Sequence, residues 1–248
     1  MKLFESEPLR SVPVSDDESH RVHPDFKGKL CETPQPGVHT LYELATDAFK
    51  KYGSRHCMGT RVFKGWKSAK VKEFGGINWL TYADVGRKAH QFGAALRASG
   101  MQPAPATTDL NQCKDPCRIA IFENTCAEWM MAAIGSFTQG ITVVTVYATL
   151  GMDAVVEAVK DNAIPVIVCN KKDVSRLVEK TKNMPSLKVI VYTNDLVPEN
   201  DTTKLPAAPR GVKIVSFDDF CESGNWPAVR KCRKCEAVWK VVGGCNDR

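Results

Sequence analysis

The sequence predicts an α/β fold in which a doubly wound parallel β-sheet carries helices on both faces. Short apolar runs, such as residues 119–122 and 141–146, alternate with segments whose apolar residues have helical spacing. The helical segments begin at capping residues and end near glycines. Strands that alternate with helices form right-handed βαβ units, whose strands run parallel and are buried on both faces.

The first predicted helix begins at Thr40. Thr40 and Glu43 form a Thr-x-x-Glu pattern, in which each side chain accepts a hydrogen bond from the other residue's free backbone amide. Apolar residues follow on one face, and Gly53 is expected to end the helix in a left-handed conformation. Two strands are expected next, at residues 61–67 and 71–80.

Thr81 and Asp84 open a second predicted helix, and Gly100 lies just past its end. Its buried stripe is expected to be Val85, Ala89, Phe92 and Leu96, and His90 is expected at its surface. Met130, in the third predicted helix, is expected in the core. Residues 101–117 are rich in Pro, Thr, Asn and Asp, which predicts a surface loop. The βαβ region then has expected strands at 119–122, 141–146, 165–169, 187–193 and 212–217. Its expected helices are 125–137, which starts at the Thr125-x-x-Glu128 pattern, 152–162 and 173–183.

The charge of the chain is uneven. The formal net charge is +6 over 248 residues, and residues 225–248 contribute +4 of it through six basic and two acidic residues. Those residues include Trp226 and Trp239, and cations beside aromatics suit nucleic acid. Everything upstream is nearly balanced, however, and no nucleic-acid-binding fold surrounds the basic residues. We therefore expect no nucleic-acid partner.

The composition predicts a cytoplasmic chain with free thiols. There is no run of eighteen apolar residues, and Glu5, Glu7, Asp16, Asp17 and Glu18 occupy the region where a secretory signal would be apolar. In a reducing compartment the ten cysteines are expected to remain mostly unpaired.

Three segments are predicted: an extended arm at 1–37, the α/β domain at 38–224, and a basic, cysteine-containing tail at 225–248. Cys232 and Cys235 form a Cys-x-x-Cys pair, and with Cys221 and Cys245 they could supply four thiolates to zinc. The spacings do not match a recognised zinc motif. The plainer interpretation is an unstructured end with incidental cysteines.

An ordered series of short segments carries a family resemblance that covers roughly residues 38–224. The most specific is the run Thr142-Val143-Val144-Thr145-Val146-Tyr147-Ala148-Thr149-Leu150-Gly151. The others are Trp79-Leu80-Thr81-Tyr82, Phe92-Gly93-Ala94-Ala95-Leu96, Ile121-Phe122-Glu123-Asn124, Glu128-Trp129 and Gln139-Gly140. Together they resemble the amino-terminal third of the long-chain acyl-CoA synthetases, a branch of the adenylate-forming, AMP-binding enzymes.

The resemblance implies a fold and a reaction. The fold would be part of the doubly wound sheet in the large domain of adenylate-forming enzymes. In the reaction, ATP and a long-chain fatty acid give an acyl adenylate, from which coenzyme A then displaces AMP. The implied cofactors of the full-length family are ATP, Mg²⁺ and coenzyme A. The implied location is the cytoplasm, with peripheral attachment to the cytosolic face of a membrane as an option.

The family's phosphate-holding loop, rich in Ser, Thr and Gly and ending in Lys-Gly, does not occur among the 248 residues. No catalytic or cofactor-binding residue is therefore carried over, and this chain alone is expected to be an inactive fragment that binds none of these cofactors. Tyr147, Ala148, Thr149 and Leu150 follow a strand's carboxyl end, where they could form a wall of the substrate pocket or only a packed connection. The alternative function is a non-catalytic binding or assembly protein with a zinc-binding tail.

Overall fold

The structure, a computed structural model, describes residues 10–14, 19–29, 33–102 and 117–224. The chain divides after Leu44 into two compact units. Within the first, strand β1 (Val12–Pro13) pairs antiparallel with β2 (Arg21–Val22), and a 3-10 turn follows at Pro24–Phe26. The predicted tail at 225–248 lies outside the described residues, and the three-segment division stays a prediction.

Helix α1 (Leu41–Lys51) begins as the sequence predicts. The backbone N–H of Glu43 donates to Thr40 Oγ1 at 3.1 Å, and that of Thr40 donates to Glu43 Oε2 at 2.9 Å. The expected left-handed stop at Gly53 is wrong, because this residue does not have a positive φ. Helix α1 ends at Lys51 instead, two residues before the glycine.

A long antiparallel hairpin follows, formed by β3 (His56–Ser68) and β4 (Val71–Thr81). Helix α2 (Tyr82–Ala98) then starts at the predicted capping box between Thr81 and Asp84. Its predicted stripe of four apolar residues is fully buried. Gly100 follows with a φ of 86°, as expected for a helix stop.

Five parallel strands form the main sheet, in the order β6-β5-β7-β8-β9. The strands are β5 (Arg118–Phe122), β6 (Thr142–Thr145), β7 (Val166–Asn170), β8 (Val189–Thr193) and β9 (Lys213–Ser216). Helices lie on both faces, so the prediction of a doubly wound α/β fold is confirmed. One face carries α2, α3 (Ala127–Phe137) and α6 (Phe217–Ser223), and the other carries α4 (Met152–Asp161) and α5 (Val174–Lys180).

Successive side chains along each strand point to opposite faces of the sheet, which divides the core into two clusters. Ile119 and Ile121 of β5 point into the cluster with α2, α3 and α6, whereas Ala120 and Phe122 point into the cluster with α4 and α5. The sheet is therefore buried on both faces, as the continuous apolar runs predict.

Several element boundaries differ from the sequence prediction, and the largest difference is in β3, which begins at His56 rather than at residue 61. Helix α3 begins at Ala127, two residues later than expected, because Cys126 rather than Thr125 is its N-cap and accepts a hydrogen bond from Trp129 N at 3.4 Å. Phe217 does not belong to the last strand. It begins α6, whose N-cap Ser216 accepts a hydrogen bond from Asp219 N.

Glycines allow α2 and α3 to cross closely. A Cβ on Gly93 would lie 2.6 Å from the carbonyl oxygen of Gly135, and a Cβ on Gly135 would lie 2.5 Å from that of Ala89. The crossing brings the buried Phe92 and Met131 into one cluster.

Two further sequence interpretations are corrected by this packing. His90, expected at the surface, is buried on α2, and Met130, expected in the core, is 43% exposed on α3. Among the described residues, no helix combines the length and apolar character that a membrane span requires.

Candidate functional site

The strand order places a topological switch between β5 and β7. The chain moves from β5 to β6 on one side, and then crosses back to β7 on the other side of β5. In open α/β sheets, the crevice at the carboxyl ends of such strands is where ligands bind. Glu123 directly follows β5, and Asn170 is the last residue of β7, so both lie at this edge.

A buried polar network fills the switch point. The side chain of Glu123 is 5% exposed, and its carboxylate accepts hydrogen bonds from the Thr193 hydroxyl, from Asn124 N at 2.7 Å and from Asn170 Nδ2 at 3.4 Å. Asn170 Nδ2 also donates to the carbonyl oxygen of Asp195 at 2.9 Å. The ends of β5, β7 and β8 are thereby joined through side chains.

Burial raises the pKa of Glu123, because desolvation penalises its charged form more than the hydrogen bonds from Thr193, Asn124 and Asn170 favour it. Burial also raises the pKa of Asp195, against the opposing charges of Lys172 and Lys72. The switch point therefore resists additional negative charge.

The segment after β8 is tied to the end of β7 by an ion pair. Lys171 Nζ lies 2.6 Å from Asp201 Oδ2, and both side chains are partly buried. The Thr203 hydroxyl donates to Asp201 Oδ1 at 2.6 Å. Hydrogen bonds from Lys171 and Thr203 lower the pKa of Asp201 to about 2. Leu196, within this segment, has a left-handed φ of 53°.

A cavity of about 420 Å³ lies between the β3–β4 hairpin and the segment after β8. Four carboxylates and two cations face it, together with apolar and amide side chains. Its lining residues are Thr60, Arg61, Val62, Phe63, Asn78, Glu128, Lys171, Asn194, Asp195, Leu196, Val197, Pro198, Glu199 and Asp201. The volume is in the range of sites that hold small molecules.

Comparison with known protein families identifies the chain. The model of the AMP-binding enzyme family matches residues 60–222, which is well over half of the sequence. The chain belongs to this family. The matched residues run from the β3–β4 hairpin to α6, so they include the whole parallel sheet and both sides of the cavity.

The curated relatives of this family member include long-chain acyl-CoA synthetases. It is 29% identical over 197 residues to long chain acyl-CoA synthetase 8 of Arabidopsis thaliana, which covers 75% of this chain and 26% of the relative. It is 25% identical over 235 residues to long-chain-fatty-acid–CoA ligase 1 of Schizosaccharomyces pombe, covering 86% of this chain and 33% of the relative. The chain thus spans about a quarter to a third of these relatives.

A solved structure confirms the fold. The adenylation domain of a carboxylate reductase from Mycobacterium chelonae superposes with a TM-score of 0.55 at 15% identity, covering 77% of this chain and 30% of that chain. The sheet is therefore part of the large domain of adenylate-forming enzymes, as the resemblance implies.

The described residues do not fit the phosphates of ATP or of coenzyme A. The cavity has four carboxylates against two cations, and one of those cations, Lys171, is already paired with Asp201. At the switch point lies the buried carboxyl group of Glu123. A polyphosphate needs cations and free backbone amides, so neither place is suited to hold it.

The four residues predicted to form a pocket wall follow β6 as a turn, in which Leu150 N donates to the Tyr147 carbonyl oxygen at 2.9 Å. Tyr147 is 79% exposed and Leu150 is 45% exposed. None of Tyr147, Ala148, Thr149 and Leu150 lines the cavity beside the hairpin. Their role in a substrate pocket stays a prediction.

Of the four predicted zinc ligands, only Cys221 lies in the described residues. It is buried on α6, where its thiol contacts the Lys88 carbonyl oxygen at 3.7 Å, and burial raises its pKa to about 12. In the described part of the chain, no three His, Cys, Asp or Glu side chains are grouped so that they could hold a metal ion. The zinc hypothesis, which also needs Cys232, Cys235 and Cys245, stays a prediction.

Sequence reasoning missed the network around Glu123 and the cavity. One pattern could have indicated the network: Glu123, Asn170 and Thr193 are polar residues at the carboxyl ends of the apolar runs that form β5, β7 and β8. Parallel strands bring such residues to one edge of the sheet. The cavity has no comparable sequence pattern, because it is lined from five separate parts of the chain.

Proposed function

We propose that this chain is part of a long-chain fatty acid–CoA ligase. The observation that carries the proposal is its similarity to the Arabidopsis long chain acyl-CoA synthetase 8, which extends over three quarters of the chain. Membership of the AMP-binding enzyme family and the shared fold support it. The fold alone would be compatible with other carboxylate substrates, so the fatty acid rests on the named relatives.

The proposed reaction of the whole protein has two steps. A fatty acid carboxylate attacks the α-phosphate of ATP, which gives an acyl adenylate and releases pyrophosphate. The thiol of coenzyme A then attacks the acyl carbon, which gives the thioester and releases AMP. Adenylation is needed because a carboxylate is a poor electrophile. Mg²⁺ and positioned donors would neutralise the phosphates.

In this proposal the described residues contribute structure rather than phosphate chemistry to the reaction. The parallel sheet supplies a rigid frame, and the turn at 147–150 lies at its carboxyl edge, where a wall of the substrate pocket would form. Because the described residues offer no suitable phosphate site, we propose that the isolated chain is inactive and binds neither ATP nor coenzyme A productively.

The proposed setting is the cytoplasm, with the option of peripheral attachment to the cytosolic face of a membrane. Long-chain fatty acids partition into membranes, so a ligase that uses them gains substrate by working at a membrane surface. We propose no nucleic-acid partner, because the charge before residue 225 is nearly balanced.

The proposal is tested on the longest protein that the gene encodes. The transcript is sequenced across the codons for Asn225 and Trp226, and the complete open reading frame is expressed. We expect AMP release that depends on coenzyme A and on palmitate, with acetate and benzoate as poor substrates. Preference for acetate or benzoate would contradict the fatty acid assignment. An open reading frame that ends at Arg248 and yields a protein with stoichiometric zinc would favour the assembly protein instead.

A further inference from the structure

The end of the β3–β4 hairpin is exposed to solvent. Apart from the half-buried Gly65, every residue from 64 to 73 is exposed, whereas Phe63 is buried. Residues 64–73, here called the hairpin end, include the turn at residues 69–70 that joins β3 to β4. The side chains of the hairpin end are therefore available to a partner.

Two large apolar side chains lie on the hairpin end. Trp66 is 58% exposed, and Val71 is 53% exposed. Trp66 pairs with Lys72 across the hairpin, and paired residues share a face of the ribbon. Val71 directly precedes Lys72 in β4, so it points to the opposite face. The hairpin end therefore presents apolar surface on both of its faces.

Lysines surround these apolar side chains. The hairpin end carries four lysines and one carboxylate, a net charge of +3: Lys64, Lys67, Lys70, Lys72 and Glu73. The Lys72 ammonium lies 5.5 Å from the centroid of the Trp66 ring, and its charge also acts on Asp195. Counting Lys72 with Asp195 still leaves a net charge of +2 on the hairpin end. None of the other three lysines is paired with a carboxylate of the described residues.

This combination matches a membrane surface that contains anionic lipids. Tryptophan favours the region between headgroups and hydrocarbon, where its ring is shielded from water while its N–H still finds acceptors. Lysine keeps its ammonium near the phosphates while its stem lies along apolar surface. A lipid surface also surrounds an inserted hairpin end, so it covers both apolar faces. A soluble polyanion such as nucleic acid would engage the lysines but would leave Val71 exposed.

We propose that the hairpin end attaches this chain to a membrane surface that contains anionic lipids. Trp66 and Val71 enter the headgroup region from the two faces of the ribbon. Lys67, beside the turn, and Lys70, within it, contact lipid phosphates. The inference deepens the proposed function, and its value to the protein rests on that function, because long-chain fatty acids partition into the same surface.

The first measurement is sedimentation of the purified 248-residue chain with vesicles. Vesicles of phosphatidylcholine alone are compared with vesicles of phosphatidylcholine mixed with phosphatidylserine. We expect the chain to bind the mixed vesicles at least about tenfold more tightly, and high salt to reduce the difference. Equal affinities would overturn the proposal. Full competition by soluble glycerophosphoserine would also overturn it, because a headgroup pocket rather than a surface would then be responsible.

Charge variants test whether the lysines of the hairpin end meet the lipid. The double variant Lys67→Gln, Lys70→Gln should weaken binding to the mixed vesicles by about 25-fold, since each lysine near an anionic surface contributes about fivefold. The matched control is Lys160→Gln, Lys182→Gln, which removes two exposed lysines from α4 and from the turn after α5. The basic residues after 225 are present in both, so the difference reports the hairpin end. Equal losses in the two double variants would overturn the proposal. Tighter binding to a single-stranded oligonucleotide than to the mixed vesicles, lost in the hairpin variant, would assign the surface to nucleic acid instead.

An apolar variant separates insertion from charge attraction. Trp66→Ala should weaken binding to the mixed vesicles by about fivefold at unchanged charge. Met130→Ala is the control, because Met130 is an exposed apolar residue of α3, outside the hairpin. Each variant is first shown to melt like the unmodified chain. Unchanged binding of Trp66→Ala would contradict the insertion. Vesicle binding is measured without ATP or fatty acid, so its absence would leave the ligase proposal standing, and an inactive full-length protein would leave the vesicle result standing.

Discussion

Thr193 donates its hydroxyl to the buried carboxyl group of Glu123, which joins the end of β8 to the end of β5 although β7 lies between them. Asn170 at the end of β7 completes the link. The three residues are separated by up to 70 positions in the sequence. This network sets the geometry of the sheet's carboxyl edge, and its properties lead to the first prediction.

Replacing Glu123 with Gln should remove a pH dependence of stability. The pKa of Glu123 is raised above its ordinary value of 4.5 by burial. Its contribution to the free energy of unfolding is therefore fully present below pH 4.5. It is lost as pH rises towards the folded-state pKa, because the unfolded chain releases the proton first. Gln keeps the shape of the protonated acid, and its amide can donate to Thr193.

The measurement is urea unfolding of both proteins between pH 4.5 and 8. We expect Glu123→Gln to gain stability relative to the unmodified chain as pH rises, by an amount on the order of 1 kcal/mol. Glu157→Gln, at an exposed position on α4, is the control and should follow the unmodified chain. Parallel curves for Glu123→Gln and the unmodified chain would show that Glu123 is not desolvated in the folded protein.

His90 should make the free energy of unfolding fall as pH drops, which is opposite to the effect of Glu123. Its ring is buried on α2, its Nδ1 lies 2.6 Å from the Gly86 carbonyl oxygen, and burial lowers its pKa below 6.5. Stability should therefore fall as pH drops below 6.5, because the unfolded histidine takes up a proton that the folded one resists. His90→Gln should lose this decline, whereas exposed His56→Gln should retain it. Unfolding curves of the three proteins between pH 7.5 and 5.5 measure this decline. An equal decline in His90→Gln would show that His90 does not cause it.

The crossing of α2 and α3 should not tolerate a methyl group at Gly93. A Cβ there would lie 2.6 Å from a backbone oxygen of α3, which cannot move without displacing the helix. We expect Gly93→Ala to lower the free energy of unfolding by about 3 kcal/mol. Gly76→Ala is the control, since a Cβ at Gly76 meets nothing within 4 Å, and it should change stability by less than about 0.5 kcal/mol. Equal stabilities of the two variants in urea would contradict the observed crossing.

The Lys171–Asp201 pair should hold the segment after β8 in place. Asp201→Asn should speed hydrogen exchange at residues 194–203, including the Thr203 amide, which donates to Asp201 at 3.2 Å. Asp153→Asn is the matched control, because its pair with Lys180 is longer, at 3.6 Å, and Asp153 is 92% exposed. Mass spectrometry of peptides that cover residues 194–203 measures hydrogen exchange in both variants. Identical exchange in the two variants would mean that the ion pair does not restrain the segment.

The same pair has a defined pH range. The pKa of Asp201, at about 2, lies below its ordinary value of 3.8. Its stabilising effect is therefore present above pH 3.8 and is lost as pH falls towards 2. A carboxyl titration by NMR with a midpoint near 3.8 would show that the pair is not formed in solution.

The starts of α1 and α2 could be predicted from local sequence patterns. The capping pairs Thr40–Glu43 and Thr81–Asp84 form as expected, because each lies within one turn of a helix. The late start of α3 was missed because Cys126 is not a usual N-cap residue. The sequence does not separate β9 from the helix that follows, because Phe217 continues the apolar run of Ile214 and Val215, although Ser216 and Asp219 form a capping pattern.

Long-range packing accounts for what the sequence did not predict. His90 is buried although it is polar, and Met130 is 43% exposed although it is apolar. A single helix pattern does not define which of its faces a neighbour will cover. The cavity likewise depends on the hairpin meeting the segment after β8, which are separated by more than 100 residues.

We propose that the described residues carry part of the frame of a fatty acid–CoA ligase and not its phosphate-binding chemistry. The most direct measurement is palmitate-dependent exchange of labelled pyrophosphate into ATP by the purified chain, with Mg²⁺ present. We predict no exchange above that of heat-denatured chain. Exchange that rises with palmitate and with native protein concentration would contradict the claim.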